Sequence, residues 1–485
     1  MAGKTGDTIP ISGNRYGVTL LIPLVFFAFY LWVVLYCFRP LGDPDIWWHL
    51  AAGRWMSGHG GAPRVDPFSF TALGTRWTDS YWLYEIVLYA ILRMSGCAGI
   101  ILFNSLLVAG GLFFQERLLA GRGLPWTLRL GALALTLAAA EPRGYGWTEN
   151  ASTVSFLFLS ALFWLRDRRR SGRPAGLPVW IGFFALWANL HRGFLLGLAV
   201  LALDALEECR GRIWKKPGGL GLAALCGLAT LANPYGIGVY RLAFLDARLS
   251  PIHTYNWAWS PFHRLEIFWA LFAAFWTARA WKGAGGRVEW LAPLFLSWIA
   301  VRHAWGVRFF ALYAASDLAS GLWDRIKKAP AQALLHGGQP AVALPVLALL
   351  FWAIAAQPAR ALVAGSGVPA AACDFIAREK IRGPFYNDYG FGGYFIWRFA
   401  GKLPVFIDGR YPSVEGYMPL YGRLMKAKLG SPEDWRRFLD SYGVRAALVG
   451  YPPPQTPLER FAKYFPKSRW KLLYRDETAL LFTRR

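Results

Sequence analysis

Two carboxylates near the N-terminus have the type and spacing that general-base or metal chemistry requires. Asp43 and Asp45 flank Pro44, and His49 follows Asp45 by four residues. Because Pro44 disfavours helix at Asp43, we expect a helix that begins at or after Asp45 and carries Asp45 and His49 on one face. Two carboxylates this close raise the pKa of one of them or bind a divalent cation such as Mg²⁺ or Mn²⁺. The pair is a candidate catalytic base and a possible metal site, with a helix cap at Asp45 and a turn at Asp43 as the alternatives.

Cationic side chains at short turns between apolar runs are candidates for binding a phosphate. Arg302, His303 and Arg308 lie within seven residues, and His191 with Arg192 occupies another such turn. Charges at the edge of apolar sequence are costly and are therefore functional candidates by default. Arginine side chains that reach lipid headgroups are the alternative interpretation of Arg302 and Arg308.

Other polar residues are candidates for substrate contacts. Glu85 lies in an apolar stretch, so it either forms an ion pair or belongs, with His49, to a binding site. Asp408 and Arg410 follow a segment predicted to be a buried strand, where polar residues commonly carry function. A packed turn held by an Asp–Arg pair is the alternative there. Asp66 precedes a proline and is predicted to be a turn residue.

Apolar helices must position most of these residues. The 485-residue sequence is 55% hydrophobic and 17% charged, whereas soluble domains carry roughly 25% charged residues. Runs that could cross a bilayer occur at 17–38, 98–116, 126–140, 151–165, 177–190, 193–208, 218–233, 266–281, 288–303, 305–321 and 340–358. We therefore predict an all-α polytopic membrane domain of about eleven transmembrane helices over residues 1–365, with a first outer loop at 39–97.

The remaining residues, 366–485, are rich in charge and are predicted to form a small soluble α/β domain. Pro404–Ile407, Arg445–Val449 and Thr478–Thr483 are predicted strands, and segments near 370–380 and 432–442 are predicted helices. Aromatic residues in this domain are suited to stacking on sugar rings.

Basic loops follow the even-numbered apolar runs, and Lys4 and Arg15 precede the first run. The positive-inside rule places these segments in the cytoplasm, so the first loop and the C-terminal domain are predicted to be extracytoplasmic. In the first loop, Trp48, Ala52 and Trp55 form a stripe predicted to lie at the bilayer interface. The net charge of +24 is attributed to topology and anionic lipid headgroups, not to nucleic acid.

Several segments resemble the GT-C superfamily, membrane glycosyltransferases that use polyprenyl-phosphate-linked sugars. The similar segments are Asp43 to Phe70, Ala188-Asn-Leu-His-Arg-Gly, Asn233-Pro-Tyr-Gly, Phe385 to Tyr394 and Pro404 to Arg410. The resemblance implies a bacterial inner-membrane enzyme in which Asp43 or Asp45 is the catalytic base. Arg192 departs from the pattern, since a small residue is expected there.

We therefore expect a glycosyltransferase that moves a sugar from a polyprenyl-phosphate donor to an extracytoplasmic glycan, lipid or protein acceptor. Such a reaction needs a base for the acceptor proton, cations for the departing phosphate and a groove at membrane level for the lipid. A transporter or lipid flippase is an alternative, although few mid-span charges and no internal repeat are present. A non-catalytic membrane assembly factor is the third hypothesis.

Overall fold

The structure is a computed structural model. It describes residues 15–140, 147, 150–209, 218–242, 244, 266–283, 289–327, 348, 367–411, 413–451 and 459–485. This part of the chain is mostly helical and contains one small sheet near the C-terminus. Apart from residue 348, the predicted run at 340–358 lies outside the described residues, as do the cationic residues of the loop at 210–217.

The N-terminal helices follow the apolar runs of the sequence. They are α1 (Arg15–Cys37), α2 (Ile46–His59), α3 (Trp82–Gly121), α4 (Trp126–Ala139), α5 (Ser152–Arg170), α6 (Leu177–Leu190), α7 (Phe194–Cys209), α8 (Gly218–Ala229), α9 (Glu266–Gly283), α10 (Leu291–Arg302) and α11 (Val307–Ile326). Each predicted run from 17–38 to 305–321 overlaps one of these helices, whereas α2 lies in the first loop.

Helix α3 is the one helix of the described chain that is both long and apolar enough to cross a membrane. Its 40 residues are interrupted at Gly96, whose φ of 65° and ψ of −161° are non-helical. A positive φ costs glycine little, so Gly96 lets the helix change direction. Shorter apolar helices of 10–17 residues occur at Leu21–Cys37, Trp126–Ala139, Leu177–Leu190, Gly218–Ala229 and Leu291–Arg302.

Large apolar side chains point outward from these helices. Phe27 is 66% exposed, Leu106 is 53% exposed, Leu228 is 64% exposed and Trp298 is 58% exposed. Scattered apolar residues are normal on any protein surface, but extensive apolar patches mark surfaces that contact membranes or partners. This outer surface is suited to contact with lipid chains.

The C-terminal part combines helices with a four-stranded sheet. Its elements are α12 (Ala370–Arg378), β1 (Phe385–Asn387), α13 (Gly392–Phe399), α14 (Tyr417–Leu429), α15 (Pro432–Ser441), β2 (Ala446–Gly450), α16 (Glu459–Ala462), β3 (Trp470–Arg475) and β4 (Ala479–Arg484). The strand order is β1-β2-β4-β3; β1 is parallel to β2 and the other pairs are antiparallel. Ser431 and Asp434 form a capping box that fixes the start of α15.

The sequence prediction of a strand at Pro404–Ile407 was wrong. This segment makes a single bridge, between Val405 and Ser69 of the first loop, and does not join the sheet. The Phe70 N–H donates to the Val405 carbonyl at 3.1 Å, and the Val405 N–H donates to the Phe68 carbonyl at 3.0 Å. Its backbone groups are therefore satisfied by the first loop and by the Asn387 side chain at the end of β1, which accepts from the Phe406 N–H at 2.8 Å and donates to the Ile407 carbonyl at 2.7 Å.

The first loop and the C-terminal part share one apolar core. Trp48, Phe68 and Trp77 of the loop are buried in the same cluster as Phe395 and Phe406 of the C-terminal part. This packing corrects the predicted interfacial stripe. Trp48 and Ala52 are buried against protein, and the half-buried Trp55 packs on the same cluster. Contact with protein thus replaces the expected contact with lipid headgroups.

Candidate functional site

The acidic pair lies between the end of α1 and the start of α2. Asp45 directly precedes α2, but its side chain makes no capping hydrogen bond. Asp43 Oδ1 accepts a hydrogen bond of 2.9 Å from the Asp45 N–H, and its Oδ2 accepts one of 2.6 Å from the Asn150 amide. Asp43 is thus a turn residue, as one alternative predicted, whereas the capping alternative for Asp45 does not hold.

The C-terminal part closes directly over Asp45. The backbone of Gly409 approaches so closely that a Cβ atom at this position would overlap Asp45 Oδ1. Glycine is the residue that permits such an approach. Asp45, in the loop after α1, and the Asp408–Gly409–Arg410 turn, more than 350 residues later in the chain, therefore form one wall of the candidate site.

The surroundings of the pair oppose the charge of both carboxylates. Burial raises the pKa of Asp43 above its usual value. Burial and the adjacent charge of Asp43 raise the pKa of Asp45 well above its usual value, and Asp408 adds to the effect. Two neighbouring carboxylates titrate as a unit and favour holding one proton between them.

His49 and Glu85 form a buried pair behind the acids. His49 Nδ1 lies 2.8 Å from Glu85 Oε1, and both side chains are shielded from solvent. Burial, with a smaller contribution from the charge of Arg192, lowers the pKa of His49 to about 3. Burial, with the charge of Asp79, also raises the pKa of Glu85 well above its usual value, so the contact joins two groups whose neutral forms are favoured. This burial favours the paired interpretation of Glu85, and substrate contact by either residue stays a prediction.

The turn after α6 brings His191 and Arg192 towards the acids. His191 Nδ1 accepts a hydrogen bond of 2.9 Å from the Gly193 N–H and lies 2.6 Å from Ser155 Oγ. Burial and the charge of Arg192 lower the pKa of His191 well below its usual value. Arg192 lies over the Tyr81 ring, 5.7 Å from its centroid, and its positive charge favours the ionised form of Asp45. Arg192 is thus the cation of this turn, and His191 is a neutral buried acceptor.

The predicted cationic group of Arg302, His303 and Arg308 occupies two different environments. Arg308 is buried, donates to Ser152 Oγ at 3.0 Å and lies 4.9 Å from the Trp147 ring centroid. Arg302 is exposed, and the ring of His303 stacks on Trp305 at 5.2 Å. Arg308 therefore belongs to the interior of the bundle, whereas Arg302 lies at its surface.

A short polar chain connects Arg308 with the acidic pair. The Ser152 N–H donates to Asn150 Oδ1 at 2.9 Å, and the Asn150 amide donates to Asp43. Asn150 and Ser152 were missed by the sequence reasoning. An asparagine before a helix ordinarily indicates a cap, and nothing local shows that its amide reaches Asp43, 107 positions away.

Asp408 and Arg410 lie in a closed network and not in an open site. Arg410 Nη1 contacts Asp66 Oδ1 at 2.6 Å, and Arg410 Nη2 contacts Asp408 Oδ2 at 2.7 Å. The guanidinium lies between the rings of Phe68 and Trp77, at 4.9 Å and 4.7 Å. Burial opposes its charge, but Asp408 and Asp66 raise the pKa of Arg410 well above its usual value. The packed-pair alternative is favoured, and substrate binding by Asp408 and Arg410 stays a prediction.

Asp66 has a larger role than the predicted turn. It accepts hydrogen bonds from the Phe68 N–H at 3.0 Å and the Ser69 N–H at 3.3 Å, which is the turn function. The Ser69 hydroxyl also donates to Asp66, and the ion pair with Arg410 joins the first loop to the C-terminal part. Because this ion pair is buried on both sides, loss of one partner would leave an uncompensated charge.

A metal role for Asp43 and Asp45 stays a prediction. Among the residues that the structure describes, the carboxylates that converge as a group of three are Asp204, Glu207 and Glu289. Asp204 and Glu207 lie on α7 and not in the first loop, and Asp204 and Glu289 contact arginines. The chemistry of Asp43 and Asp45, two oxygen-donor side chains two residues apart, fits a hard cation.

No protein-family model matches the sequence, and no curated protein matches it. Two crystal structures of ArnT from Cupriavidus metallidurans are similar to this structure. The one bound to undecaprenyl phosphate has a TM-score of 0.47 and 13% identity, and the match covers 97% of this chain and 98% of that chain. The apo structure has a TM-score of 0.47 and 15% identity, with 96% and 97% covered.

Proposed function

We propose that this chain is a membrane glycosyltransferase of the GT-C type, which transfers a sugar from a polyprenyl-phosphate donor to an acceptor outside the cytoplasm. The observation that carries the proposal is the acidic pair at the end of α1, enclosed by Gly409 and accompanied by Arg192. In this proposal about eleven helices cross a bacterial inner membrane. The N-terminus lies in the cytoplasm, and the α/β domain at 366–485 lies on the extracytoplasmic side.

Asp45 is the better candidate for the base. Both oxygens of Asp43 already accept hydrogen bonds, from the Asp45 N–H and from Asn150. The Asp45 side chain makes no capping bond and lies against the backbone of the C-terminal part. Asp43 then fixes the turn and, through its charge, keeps the pKa of Asp45 high.

The reaction follows from these positions. Asp45 takes the proton of an acceptor hydroxyl, whose oxygen forms a bond to the anomeric carbon of the donor sugar. The bond from that carbon to the phosphate oxygen breaks, and its electron pair leaves with polyprenyl phosphate. Arg192, with Arg308 deeper in the bundle, offsets the negative charge of the phosphate. A polyprenyl phosphate is an adequate leaving group as an anion, so no strong general acid is required.

A divalent cation, if one binds, would be held by Asp43 and Asp45 and would stabilise the phosphate as a Lewis acid. Addition of a chelator to the purified protein distinguishes an acidic pair that acts only in proton transfer from one that binds a metal ion. Transfer that survives the chelator assigns the pair to proton transfer alone, whereas transfer that is lost and then restored by Mg²⁺ or Mn²⁺ assigns it to a metal site.

Mass spectrometry of lipids that co-purify with the full-length protein tests the proposal. We expect a polyprenyl phosphate or its sugar conjugate, bound more weakly after Arg192→Gln. The matched control is Arg302→Gln, because Arg302 is exposed at the surface. Absence of any polyprenyl lipid, or equal retention in both variants and the unchanged protein, would remove Arg192 from the donor site and favour the assembly-factor hypothesis.

A further inference from the structure

Three tyrosines of the C-terminal part form a continuous aromatic group. The ring centroids of Tyr389 and Tyr421 are 6.2 Å apart at an interplanar angle of 79°. Those of Tyr411 and Tyr421 are 5.6 Å apart at 44°. The three residues come from the turn before α13, the turn after Arg410, and α14. Separate parts of the chain therefore contribute to one aromatic surface.

This tyrosine group keeps access to solvent, unlike other tyrosines in the same part of the molecule. Tyr389, Tyr411 and Tyr421 are all half-buried. Tyr386 and Tyr417 are each 0% exposed and serve the apolar core. The three rings pack against the same apolar core and keep part of their surface accessible to a ligand.

The tyrosine group lies beside the acidic pair. Tyr411 follows the turn whose Gly409 touches Asp45. After burial, the negative charges of Asp45 and then Asp408 are the next largest influences on Tyr389, and together they raise the pKa of its phenol well above the usual value. The phenol therefore stays neutral. The chain just after Tyr389 also lies against this wall, since a Cβ atom at Gly392 would overlap Asp408 and one at Gly393 would lie 3.0 Å from the Pro44 carbonyl oxygen.

The chemistry of the group suits a neutral carbohydrate. A pyranose has an apolar C–H face and a rim of hydroxyls, and tyrosine offers a flat apolar ring with one hydroxyl at its edge. The rings lie at different angles to one another, and a mixture of aromatic faces and polar groups is typical of small-molecule sites. Tyrosine side chains lack the cationic groups that bind phosphate, so the group suits a sugar ring better than a phosphate.

We infer that Tyr389, Tyr411 and Tyr421 form a sugar-binding subsite that holds a pyranose ring beside Asp45. The inference rests on the proposed function and deepens it, because it places a carbohydrate on the C-terminal part instead of on the helical bundle. The ring belongs either to the donor or to the acceptor, and both sources present the same chemistry to the tyrosines.

Saturation-transfer NMR on the full-length protein in detergent tests the subsite. The probes are methyl glycosides of common hexoses, N-acetylhexosamines and pentoses. We expect at least one glycoside to receive saturation, severalfold less in Tyr389→Leu and Tyr421→Leu. Tyr389→Phe should retain most of the signal because it keeps the ring. Tyr474→Leu is the matched control, since Tyr474 is also half-buried but packs on Phe375.

Two results would overturn the inference: no saturation of any glycoside, or equal saturation in the unchanged protein and a Tyr389→Leu/Tyr421→Leu double variant. Asp45→Asn should still bind the glycoside, so a failed transfer reaction and a failed subsite are distinguishable. In the transfer assay, a KM of the Tyr389→Leu or Tyr421→Leu variant that rises for the acceptor alone assigns the bound pyranose to the acceptor. A higher KM for the donor alone assigns it to the donor.

Discussion

Two groups of charged residues lie at opposite ends of the helical bundle, and they are built in opposite ways. Near the ends of α5 and α7, Arg166 contacts Asp204, and Arg170 contacts Glu289 at 2.5 Å. Asp204 and Glu289 are thus each matched by an arginine, and Glu207 beside them accepts from the backbone N–H groups of Trp290 and Leu291. At the other end, Asp43 and Asp45 adjoin each other, and Asp43 accepts hydrogen bonds from the Asp45 N–H and the Asn150 amide.

We interpret the arginine–carboxylate group as a stabilising arrangement and the acidic pair as a reactive one. Opposite charges that are buried together hold helices in register, and removal of one partner is costly. Like charges placed together raise their own pKa values and reduce stability, so such an arrangement is expected where chemistry requires it. The two ends should therefore respond to substitution in different observables: activity at the acidic pair and stability at the arginine–carboxylate group.

The largest expected effect is on transfer after Asp45→Asn. Loss of a general base typically lowers the rate by about 10²–10⁴-fold. The melting temperature should stay unchanged or rise, because the substitution removes a carboxylate whose burial and whose neighbour Asp43 oppose its charge. Asp374→Asn, at an exposed carboxylate, is the control and should change neither quantity. Loss of both stability and activity in Asp45→Asn would indicate a structural residue instead.

The next effect is on stability after Arg166→Gln. Removal of one partner from a buried pair typically costs about 3–5 kcal/mol, because the buried Asp204 carboxylate would lose the cation that compensates its charge. Thermal unfolding in detergent should show a clear decrease, while transfer per folded molecule should be retained. If Arg166→Gln left stability unchanged and abolished transfer, the arginine–carboxylate group would not be the stabilising end of the bundle.

Gly409→Ala should misplace the acidic pair without removing it. The added methyl group would overlap Asp45 Oδ1, and a displacement of about 1 Å at a catalytic group can cost up to about 10²-fold in rate. Gly390→Ala is a matched control in the same part of the chain, because a Cβ there meets nothing within 4 Å. Equal transfer rates in the two variants would show that the approach of Gly409 does not position Asp45.

The smallest expected effect is the dependence of transfer on pH. A base must be deprotonated, and the pKa of Asp45 is raised, so the rate should increase with pH through that raised value. Stability should change in the opposite direction. The folded state binds the Asp45 proton more tightly than the unfolded state does. Protonation of Asp45 therefore contributes fully to the free energy of unfolding below the pKa of an unfolded aspartate, and this contribution is lost as pH rises through the raised pKa of the folded state. A rate that is flat with pH would contradict proton transfer by Asp45.

The local sequence pattern predicted the positions of most helices, but it predicted no contact between residues far apart in the chain. Apolar runs predicted the positions of the helices, because one long segment of apolar side chains determines each of them. The strand predicted at Pro404–Ile407 was wrong because its partner is Ser69 of the first loop. The contact between Arg410 and Asp66 spans 344 positions. The acids could be found from their spacing, whereas Asn150 and the closing turn at Gly409 could not.

The central claim is that Asp45 takes the acceptor proton, and a single-turnover experiment tests it most directly. Donor lipid bound to the full-length protein is mixed with acceptor, and release of polyprenyl phosphate is followed with time. We predict that Asp45→Asn binds the donor as tightly as the unchanged protein but releases polyprenyl phosphate about 10²–10⁴-fold more slowly. Release at the same rate from the two proteins would contradict the claim.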